Sequence, residues 1–470
     1  MTEHADNPAI ATVAFVTLGC PKNEVDTDLM RAAVEAAGYY TCEGGSEQAG
    51  GSDAVVVNTC SFIQEATEAS IEAIFDVLEA RPPLLIVAGC IVNRYADELA
   101  DEMPEVAAFI KVGDTEALTK VLIDNLPARS ELPLQRLNQQ ARSFEYLRIA
   151  DGCDRKCTFC TIPSIRGAYT SREPEDILNQ AHQLIKAGTK ELIVIAQDIG
   201  RYGTDLNTDT NLIKLLKELA VLPGLKRLRL MYLQPEGLTD ELIETMAQYP
   251  TIVPYLEIPL QHVAPRILKA MGRRPRDVEN FEQQLSKARK LMPDLSVRTT
   301  LIAGFPSETE EEFDQLCDFI ERANLDYVGV FPYSPEEGTK AAELPQQLDD
   351  KTRLQRAQTL RDLADNIGWQ RTAQRIGQRA EVLIEGYDSD ENSLIARATF
   401  QTPDIDGIVR ITAPEELRVE DFFSTHKPNT YLEVEFTDVI LYDMDAVIIP
   451  PDKQRTAKVV SETCEKPATT

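Results

Sequence analysis

The hydrophobic pattern opens with three short aliphatic runs, residues 11–18 (ATVAFVTL), 53–57 (DAVVV) and 84–88 (LLIVA), each with the length and β-branched character of a buried strand. Between them the apolar positions take helical spacing over 25–37, closed by Gly38, and over 64–80, followed by Pro82 and Pro83. This alternation predicts an open parallel-sheet α/β domain over residues 1–126. The three strands end alike, in Leu18-Gly19-Cys20, Asn58-Thr59-Cys60 and Ala88-Gly89-Cys90. Each puts a cysteine just past a strand's carboxyl end, the edge where ligands of open α/β sheets gather. One such cysteine is an ordinary small buried residue; three at the same topological position predict a shared site.

Residues 127–143 are polar, with Leu-Pro at 126–127 and 132–133, and read as a linker. Over 144–375 the alternation resumes on a larger scale. Strands are predicted at 144–150, 191–196, 227–231, 255–259, 296–303 and 327–332. Helices are predicted at 174–187 with Gly188 as its stop, from a Ser307/Glu310 capping box to about Arg322, and over 351–374. The pattern predicts a partial (β/α) barrel with its active mouth at the strand carboxyl ends. From 376 to 447 short strands at 380–385, 394–399, 407–411, 431–438 and 440–442 predict a small, OB-like β-barrel, followed by a loose tail over 448–470.

Composition narrows the function. The 470 residues carry 48 Lys and Arg against 77 Asp and Glu, a net charge of −29, which argues against general binding to nucleic acid or anionic membrane. The longest apolar runs fall short of the roughly 20 residues that cross a bilayer, and the polar start offers no signal-type apolar core, so a cytoplasmic location is expected. Nine cysteines, odd in number and widely spaced, do not make a disulfide framework; in a reducing compartment, clustered thiols point to metal or redox chemistry.

The tightest cluster is Cys153-Asp-Arg-Lys-Cys157-Thr-Phe-Cys160, beyond the barrel's first strand and the turn Asp151-Gly152. Three thiolates at this spacing wrap a cubane iron-sulfur cluster and leave the fourth iron open to a small molecule. Zinc is the rival, but a structural zinc takes four protein ligands, and no nearby histidine or fourth cysteine completes the set.

With Phe159 between the last two cysteines, the CxxxCx(aromatic)C loop resembles that of the radical S-adenosylmethionine (SAM) enzymes. Over about residues 11–447 the chain is similar to their methylthiotransferase family. The resemblance implies a central barrel of radical SAM type and a C-terminal barrel of TRAM type. It implies two 4Fe-4S clusters, one on Cys153, Cys157 and Cys160 and a second on Cys20, Cys60 and Cys90. It also implies SAM bound at the first cluster, with Phe159 near its adenine. Gln197, Arg298 and the Gly304 turn, at strand ends, are the expected further SAM contacts, with structural roles as the alternative. One SAM would methylate a sulfur carried at the N-terminal cluster, and another would yield the radical that takes hydrogen from the substrate carbon. No acid-base dyad is evident, and His182 and His262 read as structural. Cys42, Cys317 and Cys464 match nothing in the family and read as free thiols.

Two branches of that family compete: one modifies an adenosine of tRNA, the other an aspartate β-carbon of small-subunit ribosomal protein S-twelve. The string Leu18-Gly-Cys20-Pro-Lys-Asn-Glu-Val-Asp26 is similar to the protein-modifying branch, where the tRNA branch has Gln-Met-Asn after the cysteine. Ile195-Ala-Gln197-Asp198, Ile258-Pro-Leu-Gln261-His262 and Tyr333-Ser-Pro-Glu-Glu-Gly-Thr339 fit the same branch, while Asp151 departs from its usual glutamate. Charge agrees independently. Residues 376–447 hold five basic and sixteen acidic side chains, net −11, which suits a basic ribosomal protein, free or on the small subunit, better than tRNA. The one basic string, 266–276, has five positive charges in eleven residues and would suit RNA in either branch. An electron donor is required, and a monomer without membrane or direct tRNA contact is expected. A non-enzymatic iron-sulfur carrier is the alternative outside catalysis.

Overall fold

The structure, a computed structural model, describes residues 10–44, 51–126, 130, 142–413 and 419–449. Strands β1 (Thr12–Thr17), β2 (Tyr40–Glu43), β3 (Ala54–Thr59), β4 (Leu85–Gly89) and β5 (Ala108–Ile110) form one parallel sheet in the order β2-β1-β3-β4-β5. The fully buried AVVVNT run takes the centre, as its lack of alternation requires. Neither edge strand is predicted from the pattern: YTCE is half polar and AFI is three residues long. The helix after β1 runs Pro21–Ala36 and starts earlier than its apolar spacing, because Cys20 is its N-cap residue and Pro21 opens it. Of the predicted linker, only Ser130, Arg142 and Ser143 are described, and the predicted tail lies outside the described residues beyond Ile449.

The central region holds two parallel three-stranded sheets. One is β6 (Phe144–Arg148), β9 (Glu191–Ile195) and β10 (Arg227–Leu230). The other is β11 (Tyr255–Glu257), β12 (Ser296–Ala303) and β13 (Tyr327–Pro332). A bridge between Leu228 and Ile252 joins them into a partial barrel, and a short antiparallel pair, β7 (Ala150–Asp151) and β8 (Thr170–Ser171), frames the loop after β6. The helix Glu310–Ala323 corrects one expectation. Its capping box is Thr309 with Glu312, whereas Ser307 has φ +65° and cannot serve as the extended N-cap residue.

The C-terminal strands β14 (Arg379–Asp388), β15 (Ser393–Arg397), β16 (Val409–Thr412), β17 (Tyr431–Ile440) and β18 (Asp443–Ile448) close into a barrel, with a helix at Val419–Thr425. The strand expected at 440–442 is instead a turn, with Leu441 at φ +57°, and the last strand is β18. This barrel docks through buried charge. Asp406 accepts from the Tyr255 hydroxyl and the Arg298 guanidinium, both at 2.6 Å, and Arg397 pairs with Glu191 at 2.9 Å, which also holds Arg229 at 2.7 Å. No helix among the described residues is long and apolar enough to cross a membrane.

Candidate active site

At the N-terminal sheet, Cys20 caps one helix, Cys60 follows β3, and Cys90 opens the helix Cys90–Glu102. Gly19 and Gly89 both take φ +99° just before their cysteines. A Cβ on Gly19 would stand 2.7 Å from the Cys60 Cβ, so glycine is what lets two of the cysteines approach. Asn23 ties the set together: its Nδ2 donates to the Thr59 carbonyl (2.8 Å), while its Oδ1 accepts from the Cys20 thiol (3.6 Å) and the Cys90 thiol (3.9 Å). Ser70 Oγ exchanges hydrogen bonds with the backbone of Cys60. Burial pushes the Cys60 and Cys90 thiols up, Cys90 to about 12, and the Arg166 guanidinium offsets this only in part.

The second set lies on the loop after β7. Gly152, at φ +74°, packs against the Ala168 backbone, and the Arg155 amide donates to Cys153 Sγ (3.4 Å). Thr158 straps the loop to the helix Pro265–Ala270: its amide donates to Met271 O (3.0 Å) and its hydroxyl to Ala270 O (2.8 Å). Burial likewise raises the Cys153 and Cys160 thiols, Cys160 to about 12. A cavity of about 600 Å³ opens beside Cys157, lined in part by Arg155, Asp198, Glu236 and Arg273.

One polar network links the segments that carry the two sets. Arg166, six residues beyond Cys160, reaches Asp26 (2.7 Å), Asn23 Oδ1 (3.3 Å) and Cys90 Sγ (3.9 Å). Arg148 joins Asp26 (2.6 Å) to Asp151 (3.1 Å), and Asp151 also accepts from Gln197 Nε2 (2.8 Å) and the Gly152 amide (2.9 Å). Nearby, Asn93 donates to Ile165 O (2.7 Å), and Glu336, from the string after β13, pairs with Arg94 (3.2 Å) and accepts from the Gln64 amide (2.8 Å).

The other expected SAM contacts divide. Gln197 stands at the barrel mouth with its Oε1 buried and unpartnered, an acceptor waiting for a donor. Phe159 is half-buried against Ile267, Met271, Phe305 and Tyr333. Gly304 sits in a turn at φ +78°, its amide held by Glu308 (3.1 Å), which also binds His262 (3.1 Å) and Arg356 (2.7 Å). Arg298 is occupied by Asp406 and serves the docking of the C-terminal barrel. Two of the five cations of the basic string are paired, Arg266 with Glu312 and Arg274 with Asp277 (2.9 Å), while Arg273 is hydrogen-bonded to the neutral groups Gln234 and Pro259 O.

Among the described residues, no three His, Cys, Asp or Glu side chains close around a single ion, as a mononuclear zinc site would need. A polynuclear cluster binds its ligands through different irons, so two sets of three thiols, each without a fourth protein donor, fit iron-sulfur clusters with one iron open. Sequence reasoning missed Asn23, Asp26 and Arg166. Asn23 and Asp26 had a signal: at three and six residues past Cys20 they continue one helix face.

The comparisons with known proteins agree with this geometry. The chain matches the Radical SAM superfamily over residues 147–320, the Uncharacterized protein family UPF0004 over 12–111 and the TRAM domain over 376–449. It is 38% identical to the ribosomal protein uS12 methylthiotransferase RimO of Trichlorobacter lovleyi, covering 87% of this chain and 93% of that one. It is 37% identical to the RimO of Carboxydothermus hydrogenoformans, covering 93% and 99%. Among solved structures, the radical SAM methyltransferase TsrM of Kitasatospora setae shares the fold, with a TM-score of 0.52 at 14% identity over 69% of this chain and 75% of that one. Parallel sheets ending in two cysteine triads, a closed C-terminal barrel and full-length relatives therefore agree: the chain belongs to the radical SAM methylthiotransferase family, in its RimO group.

Proposed function

We propose that this protein attaches a methylthio group to the β-carbon of an aspartate in ribosomal protein uS12, using SAM, one 4Fe-4S cluster on Cys153, Cys157 and Cys160 and a second on Cys20, Cys60 and Cys90. The observation that supports the reading is the network Asn23–Arg166–Asp26–Arg148–Asp151, which links the segments that carry the two cysteine sets. When bound, the clusters and SAM supply the carbon-centred radical that removes hydrogen from an unactivated carbon and the sulfur that replaces it.

The chain's own residues bind, orient and exclude water. Asn23 and the two glycines hold the N-terminal thiols, Thr158 and Arg155 shape the second loop, and Gln197 offers an acceptor at the mouth. Tyr146, Ile193, Ile195 and Met231 form a buried apolar cluster with Val25 of the N-terminal helix. The acidic C-terminal barrel supports a basic protein partner over tRNA. Arg397, one of its few cations, is spent on Glu191 and Glu385, and of the basic string 266–276 Arg266 and Arg274 are held in ion pairs.

The test is anaerobic reconstitution, then SAM and reductant with either uS12 or unmodified tRNA, read by mass spectrometry. A methylthio increment on uS12 is expected; the increment on tRNA alone would overturn the reading. Cluster transfer to other proteins without SAM cleavage would favour a carrier.

A further inference from the structure

Beside Cys20 the protein buries one ammonium that Cys20, Glu257 and Asp151 attract without any carboxylate meeting it at ion-pair distance. Lys22, two residues past Cys20, is buried, and its Nζ lies 2.8 Å from the centroid of the Tyr232 ring. Among the described residues, no carboxylate oxygen comes within 4.0 Å of that ammonium. A ring face attracts the charge without neutralising it. The neighbouring arginines are paired: Arg148 and Arg166 with Asp26 and Asp151, and Arg298 with Asp406. Buried charge is normally paired because desolvation is costly, so an ammonium with no carboxylate in contact leaves a place for one from outside.

A second observation stands independently of the first. Tyr232, just beyond the carboxyl end of β10, has φ +65°, a conformation that bulky side chains rarely adopt and that costs folding energy. Its amide is fixed by Glu257 Oε2 at 3.0 Å, so the strained residue is held in place with its ring against Lys22. Glu257 itself is buried and stays beyond 4.0 Å from the ammonium, which it attracts without an ion-pair contact.

Resting on the function proposed above, we infer that Lys22 receives the carboxylate of the substrate aspartate, so that an acidic side chain is selected and its β-carbon is presented between the two cysteine sites. The ligand class is a side-chain carboxylate one bond away from the carbon to be modified. Lys22 acts here as a binding and specificity residue; it takes no proton from the reacting carbon.

The experiment measures binding rather than turnover. Reconstituted enzyme, held anaerobically without reductant, is titrated with a fluorescent peptide spanning the modified loop of uS12, carrying either the aspartate or asparagine in its place. The wild type is expected to bind the aspartate peptide about tenfold or more tighter, the scale of a charge-assisted hydrogen bond. Lys22→Met is expected to bind both peptides alike, near the wild type's affinity for the asparagine form, while Lys22→Arg keeps part of the preference. Iron content and thermal unfolding check that the variants are intact, and Lys22→Gln is read in place of Lys22→Met if the latter does not fold. A preference that survives loss of the ammonium, or no preference in the wild type, overturns the assignment. Wild-type modification of whole uS12, run in parallel, separates the two claims. Modified uS12 without a carboxylate preference sinks Lys22 alone, whereas unmodified uS12 sinks the function on which it rests.

Discussion

Arg166 and Asp26 meet at 2.7 Å with side chains only 2% and 6% exposed, each six residues beyond a cysteine of a different set. The loop of one set is thereby fastened to the helix of the other. Arg166→Ala leaves Asp26 with Arg148 alone and Asn23 without one of its donors. Breaking a buried pair from one side costs about 3 kcal/mol, readable by urea unfolding. SAM cleavage is expected to stay within a few-fold of wild type while methylthio product falls about tenfold, because the Arg166 link between the sites is lost whereas Arg148 still holds Asp151 beside the loop at Cys153. Parallel loss of both activities would contradict this separation.

The cysteine sets are expected to separate in the same way. Cys157→Ala removes a ligand of the loop set and should abolish SAM cleavage. Cys20→Ala should leave cleavage but abolish sulfur insertion, with iron content lowered in both. A fully active Cys20→Ala enzyme would refute the N-terminal assignment.

Asp406 reports on how the C-terminal barrel is held. Its carboxylate serves Arg298, Tyr255 and the Thr402 amide. Asp406→Ala strands a buried guanidinium and should destabilise the protein by about 3 kcal/mol, with Arg298 and Asp406 strongly coupled in a double-mutant cycle. Simple additivity of the two substitutions would show that the pair does not hold the barrel.

Glu191 gives a pH signature. Burial alone would raise its pKa, but Arg229, Arg397 and Arg227 outweigh it and hold the carboxyl at about 2, against an ordinary value of 4.5. A folded pKa below the unfolded one stabilises the fold above pH 4.5 and loses that contribution as pH falls towards 2. The contribution is on the order of 3 kcal/mol. Urea midpoints should therefore fall more steeply below pH 4.5 for wild type than for Glu191→Gln; equal slopes would contradict the network.

What could be read from the chain depended on the range of the interaction. Cysteines at strand ends, Gly188 stopping the helix Pro174–Ala187 in the left-handed conformation, and the alternation that builds parallel sheets are local or periodic signals. The capping box was ambiguous because SETEEE holds two overlapping matches, and only the turn at Ser307 decides for Thr309. Arg298 stands at an expected strand position, yet its partner Asp406 lies 108 residues away and gave no local cue. Tyr232 beneath Lys22, and Arg166 against Asp26, likewise exist only once separate sheets are docked.

The account stands most directly on the carbon that loses its hydrogen. Full-length uS12 carrying deuterium on its aspartate β-carbons, treated with reconstituted enzyme, SAM and reductant, should give methylthiolated uS12 together with 5′-deoxyadenosine that contains deuterium. Unlabelled 5′-deoxyadenosine alongside modified uS12, or modification at a residue other than aspartate, would contradict it.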